Sequence, residues 1–349
     1  MLFDERPKWR RDDLFDREAE LRDLLANLDR PLVLITGVRR IGKTSVMNVA
    51  LSESGLNYVV IDLRGLKQNY SRRDLYSLFS RALSSRLDKL KEALSRVRGV
   101  SIMGNYVELA WKGRDYVRLS DLFDALNERR LIIALDEAQR LRGPLANEVK
   151  EALAHAYDYC RNLTFVLTGS EVGLLYDFLG VEDSESPLYG RYYHEVRLER
   201  FSREVSAEFL RKGFEELGVK VDERAINEIV NYFGGVPGWL TFAGLAYSRG
   251  AKLEDVKRVA VEVAKNEIRN LLESRGIPEK TRKRYENALK CIAEGKRSWS
   301  EFVKCMETRE GSTISPSVVH NVLSNLEKLS LVKDYEFLDP VYAEAARTL

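Results

Sequence analysis

The chain is poor in the residues that build metal and disulfide frameworks. Its 349 residues include only 3 Cys and 3 His. Cys160, Cys291 and Cys305 are widely spaced, with no CxxC pair, so reduced, part-buried thiols are expected rather than a disulfide or a cysteine-held metal. His155, His194 and His320 are equally scattered, and the sequence offers no zinc constellation. No apolar run approaches the ~20 residues a membrane span needs. The opening stretch MLFDERPKWRRDDLFD is too charged for a signal peptide, so a soluble, cytoplasmic chain without membrane contact is expected. An excess of one charge is missing too: 56 Lys+Arg against 54 Asp+Glu leave a net +2, which makes no general case for nucleic acid. Glutamine is represented only by Gln68 and Gln139, while charged residues reach 32% against a norm of ~25%. That balance leans towards a thermophile.

What is present points to a phosphate. At this length two or three domains are expected, and the first is marked by GVRRIGKTS, residues 37 to 45. The pattern G-x-x-x-x-G-K-[ST] is met by Gly37, Gly42, Lys43 and Thr44. It follows an apolar strand, Leu32 to Thr36, and opens a helix, Lys43 to about Ser52. Gly37 and Gly42 let the backbone turn tightly, so that the N–H groups through Arg39, Arg40, Ile41 and Ser45 face one anion. The helix adds its positive N-terminal end. Lys43 would reach the β- and γ-phosphates, and the Thr44 hydroxyl would hold Mg²⁺. Arg39 and Arg40 are unusual in such a loop. Contact with phosphates or acidic neighbours and plain solvation both fit them.

A second half complements this loop. RRLIIALDEAQRL carries the apolar strand Leu131 to Leu135 into Asp136-Glu137, at the carboxyl end where open α/β sheets bind ligands. Asp136 would hold Mg²⁺ through water, and Glu137 would polarise the attacking water. LTFVLTGSE, Leu163 to Glu171, ends in Thr168 and Ser170, which can orient water beside the γ-phosphate; capping the next helix is an equally ordinary use of Ser170. NYVVIDLRG, Asn57 to Gly65, reads as another parallel strand, ending in Asp62. The spacing implies a strand inserted between the phosphate-loop strand and the acidic strand, within a doubly wound sheet.

LFDREAELRDLLANL, with Phe15, Asp16, Arg17, Glu18, Glu20 and Leu21, resembles the h-[GD]-R-E-x-E-L box that precedes the phosphate loop in the archaeal ATPase family. That family is a branch of the signal-transduction ATPases with numerous domains (STAND), relatives of the AAA+ class. The GxRRxGKTS loop, the hhhhDEhQ strand, the TGS strand end and GGVPGWL (Gly234 to Leu240) recur in that order over about residues 14 to 240. The resemblance implies an ATP- or ADP-binding fold with Mg²⁺, in which Phe15 and Arg17 lie by the adenine and ribose and Gly235 and Pro237 approach the base from the lid. It also makes Arg191, in PLYGRYYHEVRLERFS, a candidate arginine finger in cis or in trans. An arginine stacked among Tyr189, Tyr192 and Tyr193 is the other reading. Without the resemblance, the first box reads as a capped amphipathic helix with Leu14, Leu21, Leu24, Leu25 and Leu28 on its stripe, and GGVPG as a helix-breaking turn.

Beyond Ser202 the chain reads as four lid helices punctuated by Gly218, Gly234 and Gly250. A winged helix follows. Ser298 and Glu301 form a capping box, Ser315-Pro316 opens the third helix, and LVKDYEFLDPVY is the wing. Between Leu66 and Arg130 the stretch GVSIMGNYVELAWKG alternates as a hairpin, Val100 to Met103 and Tyr106 to Trp111. The expected fold is therefore α/β, a P-loop NTPase parallel sheet (residues 1–200) with a helical lid (201–276) and a C-terminal winged-helix domain (277–349). From Asn270 to Leu349 there are 13 Lys+Arg against 12 Asp+Glu, a balance of only +1. The basic cluster Lys280 to Arg284 precedes the module. Packing or regulation is favoured over DNA binding. The expected function is a Mg²⁺-dependent ATPase with slow turnover that acts as a conformational switch towards a protein partner. A DNA-acting ATPase resembling archaeal replication initiators and a hydrolytically dead nucleotide-bound scaffold are the rivals. The sequence does not decide the oligomeric state.

Overall fold

The computed structural model describes residues 1–67, 69–274 and 277–349. In chain order the strands are β1 (Leu32–Thr36), β2 (Asn57–Asp62), β3 (Val100–Met103), β4 (Tyr106–Leu109), β5 (Leu131–Asp136), β6 (Leu163–Gly169), β7 (His194–Arg197), β8 (Val332–Lys333) and β9 (Glu336–Phe337). Five of them form one parallel sheet in the order β2-β5-β6-β1-β7. β1, β5 and β6 are buried at every position, because both faces of each are covered. Val33, Ile35, Ile132, Ala134 and Val166 share one core with α1 (Glu18–Ala26) and α2 (Lys43–Glu53). Leu32, Leu34, Ile133, Leu135, Phe165 and Leu167 share the other. That second core is covered by α3 (Arg72–Ser84), α4 (Leu87–Ser95), α5 (Leu119–Leu126), α6 (Pro144–Tyr159) and α7 (Val172–Leu179). β6 stands between β1 and β5, as the spacing predicts. The register pairs Thr36 with Gly169 and Leu135 with Leu167, so the strand ends that carry Gly37, Asp136 and Thr168 meet along one edge of the sheet.

The expected hairpin forms but is shorter. β4 stops at Leu109 instead of running to Trp111: the Ala110 N–H still reaches its in-register partner Gly99, but the Ala110 carbonyl accepts from the Val117 N–H at 2.8 Å. Val107 and Leu109 are buried on α3, where the Ser84 and Ser80 hydroxyls accept their N–H groups at 2.8 and 3.1 Å. The hairpin therefore extends the edge of the sheet's own core.

The lid comprises α8 (Arg203–Glu216), α9 (Glu223–Phe233), α10 (Pro237–Ser248) and α11 (Leu253–Ser274). Ser202 caps α8 through the Val205 N–H, as its position predicts. The winged-helix segment comprises α12 (Glu279–Ala293), α13 (Trp299–Glu310), α14 (Pro316–Lys328), the β8–β9 hairpin and α15 (Pro340–Ala346). The boundary expected at residue 276 lies outside the described residues. Lid and winged helix share one continuous core, which also takes in Leu2 and Phe3. Phe3 is fully buried, edge-on to Phe209 and Phe214. Its ring fills the space where a Cβ on Gly213 or Gly244 would come within 2.3 or 2.4 Å.

Four expectations need correcting. The Ser298 hydroxyl donates to the Glu301 carboxylate at 2.7 Å and accepts no N–H of α13, so the expected capping box does not close. The wing is confined to Val332–Phe337; Asp339 caps a helix that starts at Pro340, so the DPVY segment is not wing. Cys291 and Cys305 are joined in a disulfide, while Cys160 is free and buried. The packing of α12 on α13 brings the two cysteines together, which no spacing motif announces. Finally, His155 is not isolated: it meets Asp124 and Cys160 where α5 packs on α6.

Asp339 ties α15 to the lid. Its carboxylate accepts the Trp239 indole N–H and the Val341 N–H, both at 2.8 Å. Burial pushes its pKa from 3.8 up to about 6 against these bonds. A carboxyl raised in the folded state adds stability that is full below about pH 4 and is lost as the pH rises through about 6, a change of about 3 kcal/mol. Asp339→Ala removes the titrating group, along with the cap and the indole bond. Urea unfolding should therefore show the gap between wild type and variant narrowing by about 3 kcal/mol from pH 4 to pH 7. A gap that stays constant with pH would refute this.

Candidate functional site

Strand β1 delivers the chain into a loop whose shape depends on glycine. Gly37 has φ 141°, and a Cβ there would sit 2.6 Å from the Leu198 carbonyl oxygen, so only glycine fits beside β7. Gly42, at φ 102°, turns the chain into α2. Lys43 is buried, and its ammonium donates to the carbonyls of Gly37 and Val38 at 2.8 and 2.9 Å. Burial pushes its pKa down to about 8, with Glu137 and Asp136 opposing the fall. The Thr44 hydroxyl lies 3.2 Å from both Asp136 oxygens. Lysine, hydroxyl and acid therefore converge at the edge of β1 and β5.

The two acids are held by β6. Thr168 donates to Asp136 Oδ1 at 2.6 Å and accepts the Glu137 N–H at 2.9 Å. Its hydroxyl is committed to spacing the two acids. Asp136 is buried, and burial raises its pKa while the Thr168 bond lowers it. Glu137 adopts a left-handed backbone (φ 60°, ψ 50°) that turns its side chain out of the strand. Its Oε2 accepts from the Ser170 hydroxyl at 2.6 Å and from the Gln139 amide. Burial would raise its pKa, but the Lys43 ammonium and these two bonds outweigh burial and leave the net shift downward. Ser170 therefore holds the acid, and Glu171 takes the N-cap position of α7.

Four neighbours complete the site; Gln139 closes the hhhhDEhQ pattern, and the other three have no sequence signal of their own. Arg64 binds Asp62 and reaches to 4.0 Å from Asp136. Gln139 steadies Glu137. Glu171 is buried with both carboxylate oxygens lacking a hydrogen-bond partner. Burial pushes its pKa up, with Arg140 and Arg142 opposing. Glu267, in α11, receives the Arg40 guanidinium at 2.6 Å and lies 3.5 Å from Arg39. Of the open readings for the loop arginines, the acidic neighbour is the one observed. Arg40 also stacks on Trp239, 4.1 Å from the ring centroid.

Beside the loop lies a cleft of about 280 Å³ lined by Phe15, Arg17, Ile41, Gly42, Lys43, Thr44, Ser45 and Pro237. Phe15 stands edge-on to Phe201 and Phe209. Arg17 is buried, donates to the Glu199 carbonyl at 2.7 Å and covers the Phe201 ring at 4.6 Å. The Gly238 N–H, one residue beyond Pro237, donates to the Arg40 carbonyl at 3.0 Å, so the lid touches the loop itself. Sequence reasoning missed the N-terminal strap, in which Lys8 N–H donates to the Ser45 hydroxyl at 3.1 Å while Leu2 and Phe3 anchor in the lid. The apolar Leu2-Phe3 pair in an otherwise charged stretch was its only signal.

Arg191 is not brought to the loop. It pairs with Asp158 at 2.6 Å, near the end of α6, just ahead of the first residue of β7. Because β7 runs parallel to β1, its start lies at the sheet edge opposite the phosphate loop. A finger in cis is thereby corrected. Tyr157, 5.9 Å away, is the aromatic it faces.

Residues 14–242 match the family described as an ATPase domain predominantly from Archaea. Residues 279–341 match the C-terminal winged helix-turn-helix domain of MCM protein. No curated protein matches the chain. Among solved structures, a Walker-type ATPase of Pyrococcus abyssi is 36% identical, with 99% of this chain and 100% of that chain covered and a TM-score of 0.80. RuvB of Thermotoga maritima is 16% identical over 94% of this chain and 92% of that chain, at TM-score 0.48. ORC1 of Aeropyrum pernix, solved in complex with DNA, is 18% identical over 92% and 85%, at 0.45. The loop built on Gly37 to Ser45, the acids that end β5 and a family match spanning most of the chain agree, and the chain belongs to the predominantly archaeal P-loop ATPase family.

Proposed function

We propose that the chain binds ATP with Mg²⁺, hydrolyses it slowly, and uses nucleotide state to change how the lid (201–276) and winged helix (277–349) sit on the sheet. One observation carries the switch. Glu267 takes Arg40 at 2.6 Å and Arg39 at 3.5 Å, and on its other side accepts the Tyr342 hydroxyl of α15 at 2.8 Å. The cations that could meet a triphosphate are thus tied, through one carboxylate, to the C-terminal helix. Phosphate oxygens would compete with Glu267 for those guanidinium groups, and charge-assisted bonds of this kind are the strong ones. A bound nucleotide therefore loosens α15, and a docked α15 disfavours nucleotide.

The residues present fit a divalent cation. Asp136 and Thr44 already converge at 3.2 Å, so these two would hold Mg²⁺, which would supply charge neutralisation across the phosphates. Lys43 would leave the loop carbonyls for the phosphate oxygens. Glu137, kept ionised and oriented by Ser170, would take the proton of the attacking water. Arg191 remains a candidate only towards a neighbouring copy.

DNA binding is the less favoured reading. Pro316, Ser317, His320, Asn321 and Glu327 are the exposed residues of α14, and none is a lysine or an arginine. α14 and the turn after it are also docked on α7, through Lys328 to Asp177 at 2.9 Å and Val172 N–H to the Ser330 hydroxyl at 2.9 Å. Within the basic cluster Arg282 and Arg284 pair with Glu273 and Glu310, and the side chain of Lys280 lies outside the described residues. A protein partner that reads the docked or released module fits better than a duplex.

Glu267→Gln tests the switch. Coupling of about 1–3 kcal/mol predicts ATP binding about 5- to 150-fold tighter than in wild type. Amide exchange in α15 should be faster without nucleotide, matching what ATP alone produces in wild type. If ATP leaves α15 exchange unchanged in wild type, there is no switch.

A further inference from the structure

α5 and α6 bring three donor atoms of different kinds to one point on the flank of the sheet. Asp124 lies on α5, His155 on α6 and Cys160 at the C-cap of α6. His155 Nε2 is 2.7 Å from Asp124 Oδ1, and the Cys160 thiol donates to that same oxygen at 3.5 Å. All three donor atoms lie within 4.8 Å of one another, and no other Cys/His/Asp/Glu group among the described residues converges in this way. The side chains of Asp124 and His155 are 52% and 32% exposed, whereas Cys160 is buried. A cation could therefore enter from solvent and meet a sulfur fixed by the fold.

We propose that Asp124, His155 and Cys160 bind one divalent d-block cation of the zinc class, with water in the fourth position. Tetrahedral bonds of about 2.0–2.1 Å to nitrogen and oxygen and about 2.3 Å to sulfur place the donor atoms roughly 3.3–3.6 Å apart. The sulfur–oxygen distance, 3.5 Å, already matches. The nitrogen–oxygen distance must open by about 0.6 Å, which rotation of the exposed Asp124 side chain supplies. On binding, the sulfur gives its proton to solvent and coordinates as the thiolate, so one proton leaves per cation bound. A thiolate, an imidazole and a single carboxylate suit zinc, cobalt or nickel. Mg²⁺, which demands oxygen ligands, is excluded. The site lies away from the phosphate loop, because Cys160 precedes β6, whose far end carries Thr168. It pins α5 to α6 and is independent of the switch.

Cobalt titration of the full chain, without nucleotide or reductant, tests the site. With Cys291 and Cys305 joined, Cys160 is the available thiol. One equivalent of Co²⁺ should develop a near-ultraviolet sulfur-to-metal charge-transfer band with tetrahedral visible bands, bleached by Zn²⁺ and untouched by Mg²⁺. Cys160→Ser should lose the charge-transfer band. His155→Ala, a surface change that spares the core, should weaken binding by at least the ~10–100-fold that even an outer partner of a metal ligand is worth. No charge-transfer band in wild type, the same band in Cys160→Ser, or unchanged affinity in His155→Ala would each overturn the proposal. In that event the cluster is a hydrogen-bonded pin between two helices.

Discussion

Lys43→Ala should leave the purified chain unable to retain ADP or ATP at millimolar magnesium. Lys43 is the one ammonium inside the loop, and the fold holds it buried, on two loop carbonyls and opposite two carboxylates. It is already buried in the free chain, so phosphate gains a charge-assisted contact with little water to strip from the cation. Truncating one partner of a buried charge pair costs about 2–5 kcal/mol, a loss of about 30- to several-thousand-fold in affinity. The fold should survive, because Lys43 borders the open cleft and its truncation enlarges that space. Isothermal titration with ADP, together with a melting curve of the free variant, checks both points. Affinity within threefold of wild type would mean that the loop does not bind phosphate through this residue.

Much of this site was legible in the sequence because the phosphate loop is local chemistry. Gly37 through Ser45 must be contiguous for successive amides to face one anion, and an acidic pair must follow an apolar strand to lie at its carboxyl end. The uses of hydroxyls and arginines were not legible. Ser170 could have capped α7 or held an acid, and only the register of β6 beside β5 directs it to Glu137. Glu267 stands 227 residues from Arg40, and no periodicity links a lid helix to a loop arginine. The disulfide and the Asp124–His155–Cys160 group depend on helix pairing in the same way. Arg191 is different: the residues that follow it form β7, and a strand parallel to β1 must begin at the edge away from the phosphate loop. Any residue just ahead of it belongs there too.

Glu137→Gln should cut ATP turnover by about 10²–10⁴-fold while leaving nucleotide affinity close to wild type. The two effects separate because the hydrogen bonds of Glu137 run to β6 and Gln139, and it meets Lys43 through charge alone. Its partners are Ser170, Gln139 and the Thr168 hydroxyl that accepts its N–H. A glutamine can keep its amide oxygen where Oε2 accepts those bonds, so geometry is retained and only the capacity to take a proton is lost. Lys43 and the two hydrogen bonds keep the carboxylate ionised despite burial, as a base working near neutral pH requires. The strained left-handed backbone at Glu137, unusual for a residue with a side chain, fits a position selected for where it aims that group. Steady-state phosphate release, measured beside ADP titration on the same preparation, separates the outcomes. Turnover lost with affinity kept identifies the base. Turnover unchanged in Glu137→Gln, with nucleotide binding lost in Lys43→Ala, would make the chain a nucleotide-held scaffold, and the Glu267 contact would then report occupancy alone.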